Sequence, residues 1–308
     1  MAAVSQARGR RPRDTPRIDA PALLRAHGVL PPDLDVATTP LAGGYWNDVL
    51  RLTGDGVDWV VKVFAEQDGW RLFPILPDDE ARALEVLRGA RVAPDPVAYL
   101  PRTPEHPAVL VYRWVDGAQW ASGTAAVAEL MRRQHAVAAE GFRSVPTSSD
   151  GILAEGERLL AGADPEDAAA LRALVPARPV QAAARRALIH TDAGSGNVIV
   201  GPDGPRLIDW QCPALGDPAE DLFAFLSPAF QVLYGHEPLT AIERAECLEA
   251  YGDREVLARL AALEPSLAWR FGAYCAMRRV DLAGSDPDGA ARYARALALS
   301  LEQLEALR

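Results

Sequence analysis

The sequence predicts an α+β fold of two lobes, in which a small lobe rich in strands precedes a larger helical lobe. Short apolar runs separated by glycine turns fill the first third of the chain, and helical patterns dominate after Ala121. A strand, a loop and a hairpin over residues 186–210 interrupt the helical half. We expect a disordered basic leader at residues 1–18, the small lobe at 19–117 and the helical lobe at 118–308.

The small lobe is predicted to contain a strand meander, one helix and two further strands. Residues 38–64 are predicted to form two or three strands, because a Gly-Asp-Gly turn at 54–56 separates two apolar runs. Residues 78–89 have apolar side chains at helical spacing, acids at the start and a glycine at the end, which indicates an amphipathic helix. Two short strands are expected at 96–100 and 108–115.

The interruption of the helical half contains the residues that point to chemistry. Its loop reads His-Thr-Asp-Ala-Gly-Ser-Gly-Asn, and its hairpin closes on a Gly-Pro-Asp-Gly turn. Loops on a rigid scaffold often carry function. Phosphoryl transfer needs a carboxylate at the attacking hydroxyl and hard oxygen ligands for magnesium, and Asp192, Asn197 and Asp209 are residues of these types.

In this region the sequence resembles the aminoglycoside phosphotransferase family, a small-molecule branch of the protein-kinase-like fold. His190, Asp192 and Asn197 match the family's H-x-D-x-x-x-x-N pattern, and Asp209 matches the metal-binding aspartate of the following hairpin. The resemblance implies that Asp192 accepts or orients the acceptor's hydroxyl proton and that Asn197 and Asp209 bind Mg²⁺. We interpret His190 as a catalytic-loop residue that holds the loop by hydrogen bonds rather than as a general base.

A second signature follows the hairpin. Residues 216–222, GDPAEDL, resemble the family's G-D-P-x-x-D-L, in which Asp217 supports the catalytic loop. The alternative is that Asp217 and Asp221 only cap the helix after Pro218, since a carboxylate near a helix N-terminus is stabilising. For Asp221, which lies inside that helix, capping and a buried structural role remain open.

The small lobe resembles the same family more loosely. Lys62 is the only lysine among 32 basic residues, so one compact ammonium is kept where arginine is otherwise used. It resembles the β-strand lysine that contacts phosphate oxygens, and Glu80 resembles the helix glutamate that pairs with it. Glu85 remains the alternative partner.

The resemblance also implies a nucleotide site for ATP, with GTP as the open alternative donor. Its phosphate-covering turn would include Gly43, Gly44 and Asn47. The resemblance implies that the segment facing adenine would consist of Tyr112, Arg113, Trp114 and Val115.

Two other nucleotide-binding patterns are excluded. The chain contains no GxxxxGK[ST] motif. Gly194-Ser195-Gly196 opens onto a predicted strand at 198–200 rather than onto a helix, so it does not fit a dinucleotide fingerprint.

The predicted function is ATP-dependent transfer of the γ-phosphoryl group to a hydroxyl of a small molecule such as an aminoglycoside, a choline-like amine or an amino-sugar. A protein kinase is the weaker alternative, because Asp217 follows Asp209 by only eight residues and leaves no room for a long activation segment. A pseudokinase scaffold is the third, although Lys62, Asp192, Asn197 and Asp209 are all present.

Composition limits the partners. A net charge of -10 argues against nucleic acid, and no apolar run approaches the roughly 20 residues of a membrane span, so a cytoplasmic protein is expected. Three widely spaced cysteines predict buried thiols. After Gly117 the chain has 26 acidic and 18 basic residues, which favours a cationic acceptor, unless these acids only solvate helix surfaces.

Overall fold

The computed structural model describes residues 18–41 and 47–308. The predicted leader falls outside these residues apart from its last position, and Gly43 and Gly44 of the predicted phosphate-covering turn fall outside them too. Within the described ranges an antiparallel five-stranded sheet precedes a body of helices. The predicted two-lobed α+β fold is therefore confirmed.

The sheet of the small lobe has the strand order β1-β2-β3-β5-β4, with every neighbouring pair antiparallel. Its apolar face packs under the N-terminal helix α1 (Ala20–Ala26), where Leu24, Leu52 and Val111 are fully buried. The strands are β1 (Val36–Pro40), β2 (Asp48–Gly54), β3 (Val57–Val63), β4 (Pro96–Leu100) and β5 (Val109–Arg113).

Helix α2 (Pro77–Val86) connects β3 to β4 and brings an acidic residue to the sheet. Proline at the first turn and three acids after it suit a helix start, because the first turn has free N–H groups and a positive dipole end. The buried face consists of Glu80, Ala81, Ala83 and Leu84. A buried glutamate on this apolar face needs a partner.

The larger lobe is built from eight helices within the described residues. Side chains that cap N-termini start most of them, for example Ser148, Asp164 and Asp253. The longest, α9, runs through the core with Trp269 and Phe271 buried. The helices are α3 (Thr124–His135), α4 (Ser149–Leu160), α5 (Pro165–Arg172), α6 (Pro218–Leu226), α7 (Pro228–Leu233), α8 (Ala241–Tyr251), α9 (Arg254–Leu282) and α10 (Pro287–Ala306).

Two small sheets lie at the boundary of the lobes and carry the predicted loop. One has the order β6-β8-β9, and the other pairs β7 with β10. Gly117, at φ 143°, lets the chain pass against the Val200 carbonyl, where an added Cβ would overlap the backbone. The strands are β6 (Ala118–Gln119), β7 (Ala187–Ile189), β8 (Val198–Gly201), β9 (Gly204–Leu207) and β10 (Ala214–Gly216).

The structure also bears on two expectations from composition. Cys212, Cys247 and Cys275 are buried free thiols, as their spacing predicts. In the described ranges, none of the helices combines the length and the apolar character needed to cross a membrane.

Candidate active site

Lys62 lies on the central strand β3 and is almost completely buried, with 3% of its side chain exposed. Its Nζ is 2.7 Å from Glu80 Oε2, and it also contacts the Asp209 carboxylate. Burial alone would lower the pKa of Lys62, but the charges of Asp209 and Glu80 outweigh it and raise that pKa. The ammonium therefore stays charged between two acids that come from different lobes.

The structure distinguishes the two candidate glutamates. Glu80 is on the buried face of α2 and holds Lys62 with both carboxylate oxygens, at 2.9 and 2.7 Å. The Glu85 side chain is 58% exposed and binds Arg88, three residues further on. Because the two positions lie on different faces of α2, Glu80 is the partner of Lys62.

The catalytic loop is anchored by Asp221, which is fully buried in the first turn of α6. Its two oxygens accept the backbone N–H groups of His190 and Thr191 at 2.8 and 2.9 Å. Gln134 and His135 of α3 bind Oδ2 as well. Burial would raise the pKa of Asp221, yet the hydrogen bond and charge of His135 lower it below its usual value.

Asp217 has a different task from the one that the resemblance implies. Its Oδ1 caps α6 by accepting the Ala219 N–H at 3.0 Å, and its Oδ2 binds Arg259 Nε at 2.7 Å. Support of the catalytic loop therefore comes from Asp221, one turn later. The open question for Asp221 is resolved in favour of a buried structural role.

His190 connects the loop to the hairpin. Its Nε2 lies 3.0 Å from the Ile208 carbonyl, and its ring packs edge-on against Trp210 at 4.6 Å. Burial lowers the pKa of His190, so the ring is neutral. These contacts hold the residues on both sides of Asp209, which supports the structural interpretation of His190.

Two residues of the site have left-handed backbone conformations without being glycine. Thr191 has φ 68° and Asp209 has φ 62°. Such a conformation is costly for a β-branched residue and persists only where the surroundings fix it. The Thr191 hydroxyl donates to the Cys212 carbonyl at 2.9 Å, and this bond helps to hold the conformation.

Asp192 and Asn197 face each other across the loop, together with a tyrosine that sequence analysis did not identify. Asn197 Nδ2 donates to the Asp192 carbonyl at 2.8 Å, and the Tyr234 hydroxyl donates to Asp192 Oδ1 at 2.9 Å. Burial raises the pKa of Asp192 to about 7, with the Tyr234 hydrogen bond acting against it. Asp209 is close enough to raise this pKa further.

Asn47 is the one predicted residue of the phosphate-covering turn within the described ranges. Its Oδ1 accepts the Ala65 N–H at 3.1 Å, and its Nδ2 donates to Gln211 Oε1 at 3.3 Å. Both ends of this buried side chain are engaged. Asn47 thus ties the end of β3 to the residues that follow Asp209, and its predicted place in the phosphate-covering turn stays a prediction.

The predicted adenine-facing segment continues β5 towards β6. Tyr112 is a buried strand residue paired with Val60. The N–H groups of Arg113 and Trp114 donate to the carbonyls of Asp95 and Asp58, both at 2.9 Å. The next backbone donor along the segment is the N–H of Val115.

Three residues of the site match no motif in the sequence: Tyr234, Gln134 and His135. All three act through contacts with residues 37 to 87 positions away, which no local pattern encodes. The glycines of the catalytic loop offered the one local signal, because they are where the Tyr234 ring packs. His135, which the sequence did not distinguish from surface or packing histidines, is a buried ligand of Asp221.

Comparisons with solved structures agree with this architecture. A choline/ethanolamine kinase family protein from Mesorhizobium loti aligns over 92% of this chain and 99% of its own, at 18% identity and a TM-score of 0.57. A spectinomycin phosphotransferase in complex with ADP and spectinomycin aligns over 92% and 97%, at 13% identity and a TM-score of 0.60. An amicoumacin kinase in complex with AMP-PNP, Ca²⁺ and Ami aligns over 93% and 94%, at 15% identity and a TM-score of 0.59.

At these identities the solved structures show a shared fold. A search of curated protein sequences gives no match. The profile of the phosphotransferase enzyme family (APH), by contrast, matches residues 37–263, which include the small-lobe strands from the second residue of β1 onward, the catalytic loop, Asp209 and Asp221. The family resemblance and the enzyme class predicted from the sequence are therefore confirmed, and the chain belongs to the phosphotransferase enzyme family.

Proposed function

We propose that the chain transfers the γ-phosphoryl group of ATP, with Mg²⁺, to a hydroxyl group of a small molecule. The observation that carries the proposal is the contact of Lys62 with both Glu80 and Asp209. A buried ammonium held by one acid of the small lobe and one acid beside the catalytic loop is suited to phosphate oxygens at the boundary of the lobes. The spectinomycin phosphotransferase and the amicoumacin kinase of the same fold hold ADP and AMP-PNP.

The donor atoms of Asn197 and Asp209 fit a magnesium ion. The Asp209 side chain is 41% exposed and supplies a carboxylate, while the Asn197 amide nitrogen donates to Asp192 and Tyr234 and so turns its oxygen the other way. In the described ranges no three His, Cys, Asp or Glu side chains cluster as a metal site, so phosphate oxygens and water would complete the coordination. When bound, Mg²⁺ would neutralise charge on the phosphates.

Asp192 is proposed to accept the proton of the attacking hydroxyl. Its carboxylate lies in the loop that Asp221 and His190 hold, and a pKa of about 7 suits a base at neutral pH. Lys62 would orient the phosphates, and the N–H of Val115 would be the adenine donor of the connecting segment.

The connection after Asp209 favours a small acceptor over a protein. Seven residues separate Asp209 from Asp217, and they include the strand β10, which pairs with β7. A peptide platform of the protein-kinase type has no segment from which to form there.

The retained set of Lys62, Asp192, Asn197 and Asp209 argues against a pseudokinase. For the acceptor we propose a cation such as an amine or amino-sugar, which the acidic helical lobe would attract.

The proposal is tested by incubating the chain with ATP, Mg²⁺ and a panel of aminoglycosides, choline-like amines and amino-sugars, scored by phosphorus NMR for a new phosphate monoester. Asp192→Asn is the inactive control, because it keeps the shape and removes the proton acceptor. Detectable phosphorylation of general protein substrates, without any small-molecule product, would instead favour a protein kinase.

The metal site is tested separately by Asp209→Asn, since asparagine tolerates the left-handed backbone better than alanine does. We expect the variant to lose the thermal shift that ATP with Mg²⁺ gives the wild type. Asp203→Asn, in the exposed hairpin turn, is the matched control and should keep the shift. If Asp209→Asn retains the full shift, Asp209 is not a metal ligand.

A further inference from the structure

Tyr234 directly follows the end of α7, and its ring packs against the glycine-rich part of the catalytic loop. A Cβ added at Gly194 or at Gly196 would overlap the Tyr234 ring. Neither glycine has a positive φ, so the backbone conformation does not require glycine at either position. The two glycines therefore make room for the ring.

The hydroxyl of Tyr234 joins two residues of the proposed site. It donates to Asp192 Oδ1 at 2.9 Å and accepts from Asn197 Nδ2 at 3.2 Å, while Asn197 Nδ2 also donates to the Asp192 carbonyl. Hydrogen bonds to a charged group are the stronger kind and fix the orientation of the carboxylate. Because Tyr234 occupies Oδ1, the second oxygen, Oδ2, is the one left for an incoming hydroxyl.

The position of Tyr234 is set by the core of the helical lobe. Phe230 of α7 stacks on Phe271 of α9 with ring centroids 3.7 Å apart, and Gly235 ends α7 in a left-handed turn at φ 83°. His236 then packs edge-on against Trp120 at 5.3 Å. Packed aromatic residues therefore hold the chain both before Tyr234, at Phe230, and after it, at His236.

We propose that Tyr234 is a positioning residue for phosphoryl transfer, which holds Asp192 through Oδ1 so that Oδ2 faces the acceptor hydroxyl. The proposal rests on the proposed function. In the step itself, the acceptor oxygen forms a bond to the γ-phosphorus, the bond to the departing ADP oxygen breaks, and the hydroxyl proton passes to Asp192 Oδ2. Tyr234 keeps its own proton throughout.

The test is Tyr234→Phe, which removes the hydroxyl and leaves the ring on the glycines. We expect kcat to fall about 10- to 100-fold, the range for a lost hydrogen bond to a charged group, with the KM for ATP nearly unchanged and the melting temperature lowered by a few degrees. The phosphoryl acceptor in this assay is the compound found in the panel. If the panel gives none, water is the acceptor and the release of phosphate from ATP is measured. Tyr99→Phe is the matched control, because the Tyr99 hydroxyl also donates to an aspartate, Asp78, at 2.7 Å.

Gly196→Ala provides an independent variant, since its methyl group must push the ring off the loop. It should lower kcat with the KM for ATP preserved. Wild-type kcat in Tyr234→Phe would overturn the proposal, and so would a higher kcat or a lower acceptor KM, because the hydroxyl would then obstruct the acceptor. A wild-type chain that neither binds nor consumes ATP contradicts the proposed function itself, whereas wild-type turnover with unaltered variants contradicts only the role of Tyr234.

Discussion

At the scale of single residues, Lys62 has two tasks that can be separated by experiment. It neutralises Glu80 in a buried pair, and it is proposed to orient phosphates. A substitution at Lys62 therefore changes stability as well as kinetics, because it leaves a buried carboxylate without its counter-charge.

Lys62→Met should raise the KM for ATP and lower kcat, and it should also lower stability by about 3 to 5 kcal/mol, the usual cost of breaking a buried ion pair. The double variant Lys62→Met/Glu80→Gln removes the unpaired charge. We expect it to recover most of the melting temperature but not the kinetics. Steady-state kinetics and thermal unfolding of the single and double variants provide the comparison, and wild-type kinetics in either would remove Lys62 from the nucleotide site.

The catalytic-loop residues could be predicted from the sequence because they lie close together in one short motif. Asp192 and Asn197 share one loop, and Asp209 ends the hairpin that follows it. Tyr234 and Asn47 show the limit of this reasoning. Tyr234 meets Asp192 only because α7 packs over the loop, and the Asn47 side chain is occupied by a partner 164 positions away. Contacts of this kind depend on tertiary packing.

At the scale of elements, α6 and β7 form the support of the catalytic loop. The sequence predicted a helix after Pro218, but it did not show that Asp221, in the first turn of this helix, points inward to the backbone that follows β7. Asp221 makes that connection through two backbone N–H groups and two side chains of α3.

Asp221→Asn should lower the free energy of unfolding by roughly 3 kcal/mol. The asparagine amide has only one acceptor oxygen, so its NH₂ group would face a backbone N–H donor of His190 or Thr191 and leave that donor without a hydrogen bond. Chemical denaturation measures the change. Asp288→Asn, in the exposed first turn of α10, is the matched control and should be near neutral. Equal stability of the two variants would show that Asp221 does not hold the loop.

The same variant has a predicted pH dependence. The folded-state pKa of Asp221 is lowered, so its stabilising contribution is present above the usual aspartate pKa of about 4 and is lost as the pH falls through the folded value. The difference in the free energy of unfolding between wild type and Asp221→Asn should therefore be largest at neutral pH and become smaller in acid.

At the scale of the whole molecule, the charge is divided unevenly between the lobes. Up to Gly117 there are 16 acidic and 14 basic residues, and after it 26 and 18. A lobe of one sign attracts ligands of the other. Many of these acids are nevertheless paired with arginines, for example Glu220 and Glu155 with Arg270. The attraction of a cationic acceptor therefore depends on acids of the helical lobe that form no such pair and lie near the acceptor.

If the acceptor is cationic, its kcat/KM should fall between low and moderate salt at saturating ATP and fixed Mg²⁺, because the Debye length shortens to about 8 Å at physiological ionic strength. An uncharged analogue of the same acceptor is the control and should show little change. An acceptor that is neutral or anionic, or a kcat/KM independent of salt, would contradict the electrostatic proposal.

The short connection between Asp209 and Asp217 has a consequence for control of the enzyme. Its seven residues include the paired strand β10 and lead into the capped helix α6, so the strand pairing and the helix cap hold this segment. A segment this short leaves no long loop between Asp209 and Asp217 of the kind that phosphorylation orders in protein kinases. We therefore expect phosphoryl transfer to proceed without prior covalent modification of residues 210–216, and the kinetics of the unmodified protein would check this.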